Sequence, residues 1–385
     1  MHTLSQLPET CKAGVVSKHG PDFELKIEHV PVPQPGPDQI LIKLNVTGLC
    51  YSDIHYMLED LPLPRMRDYD VSSPGHEGAG VVVAVGQDVK GWKIGDRAGV
   101  APTWDTCMSC ELCATDLECH CSHAVPTGLK VSGACYECIP TRTRGPLIGF
   151  ANNVCALLYR HLPTIHHISA RYASRIPDNV DDCAAGPIMC SGSTMFRAIR
   201  ESNLSVGQWA VFIGAGGGVG HMGIQIAKAM GMRIIGIDAG SEKEKLCLSL
   251  GCEAFIDFTK SKNLCDDVRT IADGKGAHGV FVVASAPAGY KVAPRMLRIG
   301  GVVVCVGMPP SGTAVAGDDP MYLILNNIKV IGSLTGSRQD TAHALSMAAR
   351  GLLRPIYEHH DIDELPSAVQ KLRQGRVNGR CVVMF

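Results

Sequence analysis

Short runs of apolar and β-branched residues, separated by turns rich in Gly and Pro, fill the first hundred residues; 39–46 and 80–85 predict strands. From residue 208 onward, apolar runs alternate with helical segments. The first predicted helix follows a glycine loop and ends at Gly231. The runs are 208–213, 233–238, 279–284 and 301–307, with a last strand candidate at 380–385. The pattern predicts a β-rich region followed by a parallel sheet covered by helices.

Composition narrows the classes of function. A chain of 385 residues exceeds the usual size of one hydrophobic core, so two domains are expected. Hydrophobic residues make up 45% and charged residues 19%, and the net charge of −1 offers no footprint for nucleic acid or an anionic membrane. No basic leader or membrane-length segment is evident, and seventeen cysteines, an odd number, favour a reducing compartment. We expect a cytoplasmic protein whose partners are small molecules.

Four closely spaced cysteines predict a tetrahedral zinc site, because thiolates in short Cys-x-x-Cys steps can surround one ion. The predicted ligands are Cys107, Cys110, Cys113 and Cys121. Cys119 lies in the same run and is an alternative fourth ligand. The competing interpretation is a set of buried or disulfide-paired cysteines.

The loop GAGGGVG (214–220) predicts a dinucleotide site, since its glycines let the backbone approach a pyrophosphate at a helix N-terminus. The candidate residues are Gly214, Gly217, Gly218 and Gly220, and the motif spacing fits when Ala215 takes the first place. Asp238 ends the next strand, where a carboxylate binds ribose hydroxyls and repels a 2′-phosphate, which favours NAD over NADP. Alternatively, Asp238 only caps a turn.

Cys50, His76 and Cys190 could together form a zinc site with one open position, with Glu77 beside His76. An open position on zinc polarises a carbonyl or lowers the pKa of a bound alcohol. Taken singly, each of these residues is better explained by a structural role, a small core cysteine or a structural histidine.

All these motifs together resemble the zinc-dependent medium-chain alcohol dehydrogenases, most closely the fungal, yeast-type branch. The segments GHEGAGVVVAVGQDVKGWKIGDRAG, AKAMGMRIIGID, CEAFIDFTK and GKGAHGVFVV contain the likeness, which covers nearly the whole chain. The resemblance implies a GroES-like catalytic domain (1–193, with a structural-zinc lobe at 105–123), a Rossmann NAD-binding domain (194–338) and a return to the catalytic domain (339–385). It also implies one catalytic and one structural zinc, NAD, and a homo-oligomer, a dimer or tetramer.

The resemblance assigns roles residue by residue. Catalytic zinc would bind Cys50, His76 and Cys190, and Glu77 would approach it during ligand exchange; Cys121, rather than Cys119, completes the structural set. The alcohol proton would leave through Ser52, the cofactor ribose and His55, while hydride passes to nicotinamide. His55 could alternatively be a surface histidine, and Asp53 orients its neighbours. The cofactor would be bound by Asp238, Lys243, Arg380 and the backbone of Val306 to Met308.

Departures from the family concern the pocket and one segment. Leu61 and Pro102 replace tryptophans that narrow the pocket of ethanol-specific members, and Tyr51 replaces a histidine near the cofactor phosphate, so a wider pocket is expected. The stretch between Cys50 and His76 is longer and contains MRDYD. Residues 134–167 have no family counterpart, and a catalytic-domain strand is missing there; they form either a substrate-capping insertion or a translated intron, and we favour the intron.

The leading hypothesis is an NAD-dependent zinc alcohol dehydrogenase or aldehyde reductase with a wider pocket than ethanol-specific relatives have. Alternatives are a reductase of a fungal secondary-metabolite pathway with a bulkier substrate, a polyol dehydrogenase, a quinone reductase, and a non-catalytic NAD-binding relative. The polyol branch usually has a carboxylate in place of Cys190, and a quinone reductase needs neither zinc set.

Overall fold

The structure is a computed structural model that describes residues 2–3, 7–142, 168–169 and 171–385, with the backbone alone at 2–3, 139–142 and 168–169. The strands, in chain order, are β1 (His2–Thr3), β2 (Thr10–Lys18), β3 (Glu24–Pro31), β4 (Gln39–Leu49), β5 (Gly78–Val85), β6 (Arg97–Val100), β7 (Thr103–Asp105), β8 (Val125–Pro126), β9 (Cys138–Arg142), β10 (Ile168–Ser169), β11 (Ser174–Arg175), β12 (Trp209–Ile213), β13 (Arg233–Asp238), β14 (Ala254–Asp257), β15 (Ala277–Val282), β16 (Leu297–Cys305), β17 (Lys329–Gly332), β18 (Tyr357–Asp361) and β19 (Arg380–Met384).

The α-helices are α1 (Tyr51–Leu58), α2 (Glu111–Ala114), α3 (Asp182–Pro187), α4 (Ser193–Ser202), α5 (Gly220–Ala229), α6 (Ser241–Leu250), α7 (Leu264–Ile271), α8 (Pro287–Val292), α9 (Pro320–Asn326), α10 (Arg338–Ala349) and α11 (Leu365–Arg373). Short 3₁₀ turns cover Met66–Tyr69, Glu118–His120, Ala293–Met296 and Ile362–Glu364, and a π-helical turn, Ile188–Gly192, joins α3 to α4. No helix in the described part of the chain is long and apolar enough to cross a membrane.

The second half of the chain builds a six-stranded parallel sheet in the order β14-β13-β12-β15-β16-β17. Alternate side chains of β12 enter different cores: Phe212 stacks on Phe281 with ring centroids 4.8 Å apart, whereas Trp209 and Val211 pack on the opposite face. Both faces are therefore apolar and covered, which explains the continuous hydrophobic runs of the sequence. The predicted fold class, a β-rich region beside a doubly wound sheet, is confirmed.

The first half builds a mixed, mostly antiparallel nine-stranded sheet around β4. One half of β4 pairs with β9, and its other half pairs with β19 from the end of the chain; β5 runs along its other side. One apolar core joins this sheet to the parallel sheet, since Val46 and Val382 belong to the same cluster as Phe212. The carboxyl end of the chain is therefore an internal part of the first sheet.

The structure differs from the sequence prediction at 134–167. Strand β9 lies inside this segment and pairs antiparallel with β4, so the strand that the sequence analysis expected to be missing is present. Ala134 and Cys135 are buried, and their N–H groups donate to the carbonyls of Gly75 and Pro74. Pro140 concealed the strand, because proline is uncommon inside strands. Residues 143–167 of the predicted insertion lie outside the described residues.

Candidate active site and cysteine lobe

Three residues far apart in sequence meet between the two sheets. Cys50 follows β4 and caps α1, His76 precedes β5, and Cys190 lies in the π-helical turn. The Sγ atoms of Cys50 and Cys190 are 3.9 Å apart, and one ligand atom from each of these residues and from Glu77 lies within 4.8 Å of the others. Two thiolates bound tetrahedrally at 2.3 Å from zinc would be about 3.8 Å apart, so the spacing fits that metal.

Asp53 organises this cluster. Its Oδ2 accepts the N–H of Cys50 at 3.0 Å, its Oδ1 accepts the N–H of Gly75 at 3.1 Å, and His76 Nδ1 lies 2.8 Å from Oδ1. The charged carboxylate thus lies against Nδ1 of the imidazole and leaves Nε2 as the nitrogen available to a metal. The sequence interpretation, that Asp53 orients its neighbours, agrees with these contacts.

The buried charges shift the ionisation of the cluster. A hydrogen bond from the Cys190 thiol, opposed by burial and aided by the Arg380 and His76 charges, holds the pKa of Cys50 well below that of a free thiol. The same hydrogen bond, together with burial, raises the pKa of Cys190. Burial opposes protonation of His76, but the charges of Asp53 and Cys50 outweigh it and raise its pKa to about 10. The site therefore concentrates negative charge that a divalent cation would neutralise.

Glu77 is paired with an arginine rather than left free. Arg380 Nε donates to Glu77 Oε2 at 3.0 Å, and a second guanidinium nitrogen contacts the other carboxylate oxygen; both side chains are buried. The guanidinium also lies against the glycine loop, where a Cβ on Gly218 would come within 2.5 Å of Arg380 Nη1. Arg380 therefore connects the glycine loop with the cysteine–histidine cluster.

The predicted relay residues lie beside the cluster. Ser52 Oγ is 3.6 Å from Cys50 Sγ. His55 is buried, and its Nδ1 lies 2.6 Å from Asp60 Oδ1, whose side chain is 28% exposed. The alternative that His55 is a surface histidine is wrong. Asp60 was missed from sequence, because nothing in the order of residues pairs it with His55.

The predicted structural-zinc cysteines lie together in the lobe between β7 and β8. Four Sγ–Sγ distances are 3.8 Å (Cys107–Cys113), 3.6 Å (Cys110–Cys113), 3.8 Å (Cys110–Cys121) and 3.5 Å (Cys107–Cys121). These values are close to the roughly 3.8 Å edge of a tetrahedral zinc–thiolate cluster. Cys119 lies outside the group, and the described cysteines form no disulfide, so neither sequence alternative fits this geometry.

The glycine loop follows β12 at the carboxyl edge of the parallel sheet. Gly214 has φ +91°, and a Cβ on Gly220 would lie 2.2 Å from the Gly214 carbonyl oxygen, so both positions require glycine. Asp238 Oδ2 accepts the N–H of Gly216 at 2.9 Å, and its Oδ1 lies 3.0 Å from Lys243 Nζ. Gly217 accepts a hydrogen bond from the imidazole of His221, which lies on α5. This is the edge at which open parallel sheets bind nucleotides.

Val306 and Met308 follow β16 at the same carboxyl edge, half-buried. Val306 N–H donates to the carbonyl of Val282, which ends the neighbouring strand. The residues predicted to border a nicotinamide and those predicted to bind the adenosine ribose therefore share one edge of the sheet.

One further cluster of possible metal-ligating groups had no signal in the sequence. Glu358 and His360 on β18 meet Cys381 on β19, with His360 Nε2 3.8 Å from the carboxylate and 3.9 Å from the thiol. Lys371 already pairs with Glu358. The Lys371 ammonium thus already pairs with the carboxylate that a metal ion would need, which disfavours a metal site here.

Comparison with known proteins agrees with this geometry. Residues 36–154 match the alcohol dehydrogenase GroES-like domain, and residues 218–350 match the zinc-binding dehydrogenase domain. An alcohol dehydrogenase of Schizosaccharomyces pombe is 36% identical over 378 residues, 98% of this chain and 98% of the relative. Alcohol dehydrogenase 1 of Emericella nidulans is 35% identical over 363 residues, 93% of this chain and 94% of the relative.

Solved structures share the whole fold. The alcohol dehydrogenase of Aeropyrum pernix superposes with a TM-score of 0.81 at 22% identity, over 97% of this chain and 100% of the other. Acetophenone reductase of Geotrichum candidum, solved in complex with NAD, gives 0.78 at 23% identity over 99% of both chains. The chain belongs to the zinc-binding, medium-chain alcohol dehydrogenases, an oxidoreductase family. The resemblance and the enzyme class predicted from the sequence are confirmed.

Proposed function

We propose that this protein interconverts an alcohol with its aldehyde or ketone by hydride transfer to or from NAD. The observation that supports this most directly is the meeting of Cys50, His76 and Cys190 beside the Ser52 hydroxyl, with Arg380 connecting them to the glycine loop. A three-ligand metal set beside a dinucleotide-type edge supports metal-assisted hydride transfer from an alcohol.

Cys50, His76 and Cys190 would hold the catalytic zinc, which as a Lewis acid favours loss of the alcohol proton and polarises a carbonyl. Ser52 can accept that proton and pass on its own, because a hydroxyl both donates and accepts. His55 would take the proton next. Its contact with the partly exposed Asp60 leads toward solvent, since His55 itself is buried.

The glycine loop, Asp238 and Lys243 would bind the cofactor, Arg380 a phosphate, and the Val306 to Met308 backbone would border the nicotinamide. Asp238 favours NAD, because its carboxylate would repel the 2′-phosphate of NADP. Lys243 already neutralises part of this charge, at 3.0 Å from Asp238 Oδ1. We therefore expect a preference for NAD over NADP rather than complete exclusion of NADP.

We propose that the substrate is bulkier than ethanol. Leu61 and Pro102, which replace large aromatic walls in the ethanol-specific pattern, are partly exposed. Smaller walls remove steric exclusion and leave apolar surface that a larger substrate would bury.

The remaining proposals concern the second metal site, assembly and location. Cys107, Cys110, Cys113 and Cys121 would hold a structural zinc. A homo-oligomer is supported by β17, which lies at the edge of its sheet, and by the adjacent α9. This helix exposes the apolar side chains of Met321, Ile324 and Leu325. An unpaired strand edge beside exposed apolar side chains can pack against a second copy of the chain. The free cysteines suit a cytoplasmic location.

The proposed function is tested by following NADH at 340 nm with zinc-loaded protein and a panel from ethanol to cyclic alcohols and aryl ketones, with NADP in parallel. Cys50→Ala is expected to abolish turnover, whereas Cys119→Ala, which removes a thiol outside both clusters, leaves it unchanged. Absence of turnover in the unaltered, zinc-loaded protein with every pair would refute the proposal. A preference for ethanol would refute the wider pocket alone.

A further inference from the structure

A cavity of about 310 Å³ opens at the amino edge of the parallel sheet, where β12, β15, β16 and β17 begin. The glycine loop lies at the opposite edge, after Ile213. Five residues of β12 separate the two edges, about 16 Å at 3.3 Å per residue. The cavity is therefore distinct from the cofactor edge and from the cysteine–histidine cluster.

The wall of this cavity has positive charge and no carboxylate. Arg298 and Lys329 both line it, together with His278 and Gln208, and none of its lining residues is acidic. Within the described chain neither cation has an ion-pair partner, whereas the nearby Arg295 pairs with Asp318. Asp273 is outside the lining, although its charge acts on His278; it accepts from Trp209 Nε1 and lies 3.6 Å from Arg233 Nη1.

The carboxyl end of α4, at Ser202, also faces the cavity and would oppose an anion. A helix end contributes about half an elementary charge, however, and its effect fades within a turn. Two full positive charges on Arg298 and Lys329 outweigh it. The net field in the cavity is thus favourable to an anion.

His278 shows a contact that the protein alone leaves unsatisfied. The N–H of Trp209 donates to His278 Nδ1 at 3.0 Å, so in the neutral ring the proton lies on Nε2. Arg298 Nη1, which can only donate, lies 2.8 Å from that Nε2. Burial and the Arg298 charge outweigh the opposing charge of Asp273 and lower the pKa of His278, which favours the neutral ring. Two donors therefore face each other, whichever tautomer is drawn.

His221 provides the contrast within the same domain. Its Nδ1 lies 2.9 Å from the carbonyl oxygen of Gly217, and its Nε2 accepts the N–H of Ile356 at 3.1 Å. One tautomer satisfies both contacts there. At His278 an external acceptor that displaces Arg298 Nη1 from the ring, and accepts from both donors, would do the same.

We propose that this cavity binds a small phosphate monoester, whose oxygens accept from Arg298, Lys329 and the Nε2–H of His278. A guanidinium matches a phosphate with two parallel hydrogen bonds, and the ammonium adds a point charge. A volume of about 310 Å³ is at the lower end of small-molecule sites and exceeds what a bare phosphate needs. The organic part of the ester would therefore occupy the remaining space.

The test is isothermal titration of the full-length protein with glycerol 3-phosphate and, separately, inorganic phosphate, at ionic strength held constant with chloride. We expect glycerol 3-phosphate to bind and Arg298→Gln to weaken it about 10-fold or more, the effect of losing hydrogen bonds to a charged group. Lys329→Gln, at the first residue of β17, is expected to weaken it about 3-fold, because a lysine gives a single point charge. Arg350→Gln removes a charge from an exposed position away from the cavity and should change nothing.

Equal affinity of the unaltered protein and both cavity variants would place the anion elsewhere, for instance on the glycine loop, and would overturn the proposal. Absence of binding up to about 10 mM of either probe would also overturn the proposal. Arg298-dependent binding of both probes with equal affinity would assign the site to free phosphate, and tighter binding of the ester would assign it to a phosphorylated metabolite. Because no readout involves alcohol turnover, the outcome is independent of the proposed function.

Discussion

The two cysteine clusters have the same sulfur chemistry but are assembled in opposite ways. The lobe cluster takes four cysteines from fifteen consecutive residues, and three of them are partly exposed. The other cluster joins Cys50 to Cys190, 140 residues apart, and every member is buried. The lobe can form from local chain alone, whereas the buried cluster exists only after both sheets have packed. We therefore expect loss of stability from damage to the first and loss of chemistry from damage to the second.

The largest expected effect is on turnover at the buried cluster. Cys50→Ala should reduce kcat by about 10³-fold or more, because a Lewis acid contributes several kcal/mol to such a reaction. Zinc content, measured by plasma mass spectrometry, should fall from two equivalents to one, with the melting temperature little changed. A variant that retains turnover would contradict the comparison, and Cys119→Ala is the matched control.

The complementary change is Cys113→Ala in the lobe. We expect loss of the other zinc equivalent and a melting temperature lower by about 5 °C or more, because a structural zinc stabilises the fold that surrounds it. Initial turnover in fresh enzyme should be reduced much less than in Cys50→Ala. Differential scanning calorimetry and initial rates on one preparation check both parts. An equal loss of initial turnover in the two variants would remove the distinction.

A smaller effect is expected when the support of the buried cluster is altered. Asp53→Asn keeps the shape but removes the charge that faces His76, and should cost about 10- to 100-fold in zinc affinity or turnover. Competition with a chelator measures the affinity. The exposed Asp22→Asn is the control. Unchanged zinc retention and turnover in Asp53→Asn would show that the carboxylate does not position the ligand.

The last effect appears only at acid pH and concerns His221, a buried histidine beside the glycine loop. Burial lowers the pKa of His221 to about 4, and this residue connects Gly217 to Ile356. Between about pH 4 and 6.5 the His221 imidazole is protonated in the unfolded chain but not in the folded protein. The free energy of unfolding therefore falls as the pH falls. From pH 7 to about pH 4.5 we expect a loss of about 2.5 kcal/mol from this group.

Urea unfolding of His221→Gln should show a correspondingly flatter dependence on pH than the unaltered protein, with exposed His29→Gln as the control. Parallel slopes for all three would contradict the assignment.

The features that could be predicted from the sequence are those whose residues are neighbours in the chain. The steps between Cys107, Cys110 and Cys113 and the loop at 214–220 indicated their structures, since their parts are neighbours in the chain. The meeting of Cys50 with Cys190 could be expected only through family resemblance, because no local pattern encodes a contact over 140 residues. The His55–Asp60 and Glu77–Arg380 pairs and the cavity at Arg298 were missed for the same reason. Strand β9 was missed because Pro140 contradicts the usual strand composition.

The last strand has a consequence for how the molecule is made. Strand β19 lies between β18 and β4 in the first sheet, although more than 300 residues separate it from β4 in the chain. During synthesis almost the whole polypeptide must leave the ribosome before β4 can pair with β19. The hydrogen bond between Arg380 and Glu77 also forms only then. The parallel sheet, whose strands are all translated earlier, can fold first. The region translated first is thus completed last, and a nascent chain halted before residue 380 retains an open edge on β4 where another strand can pair.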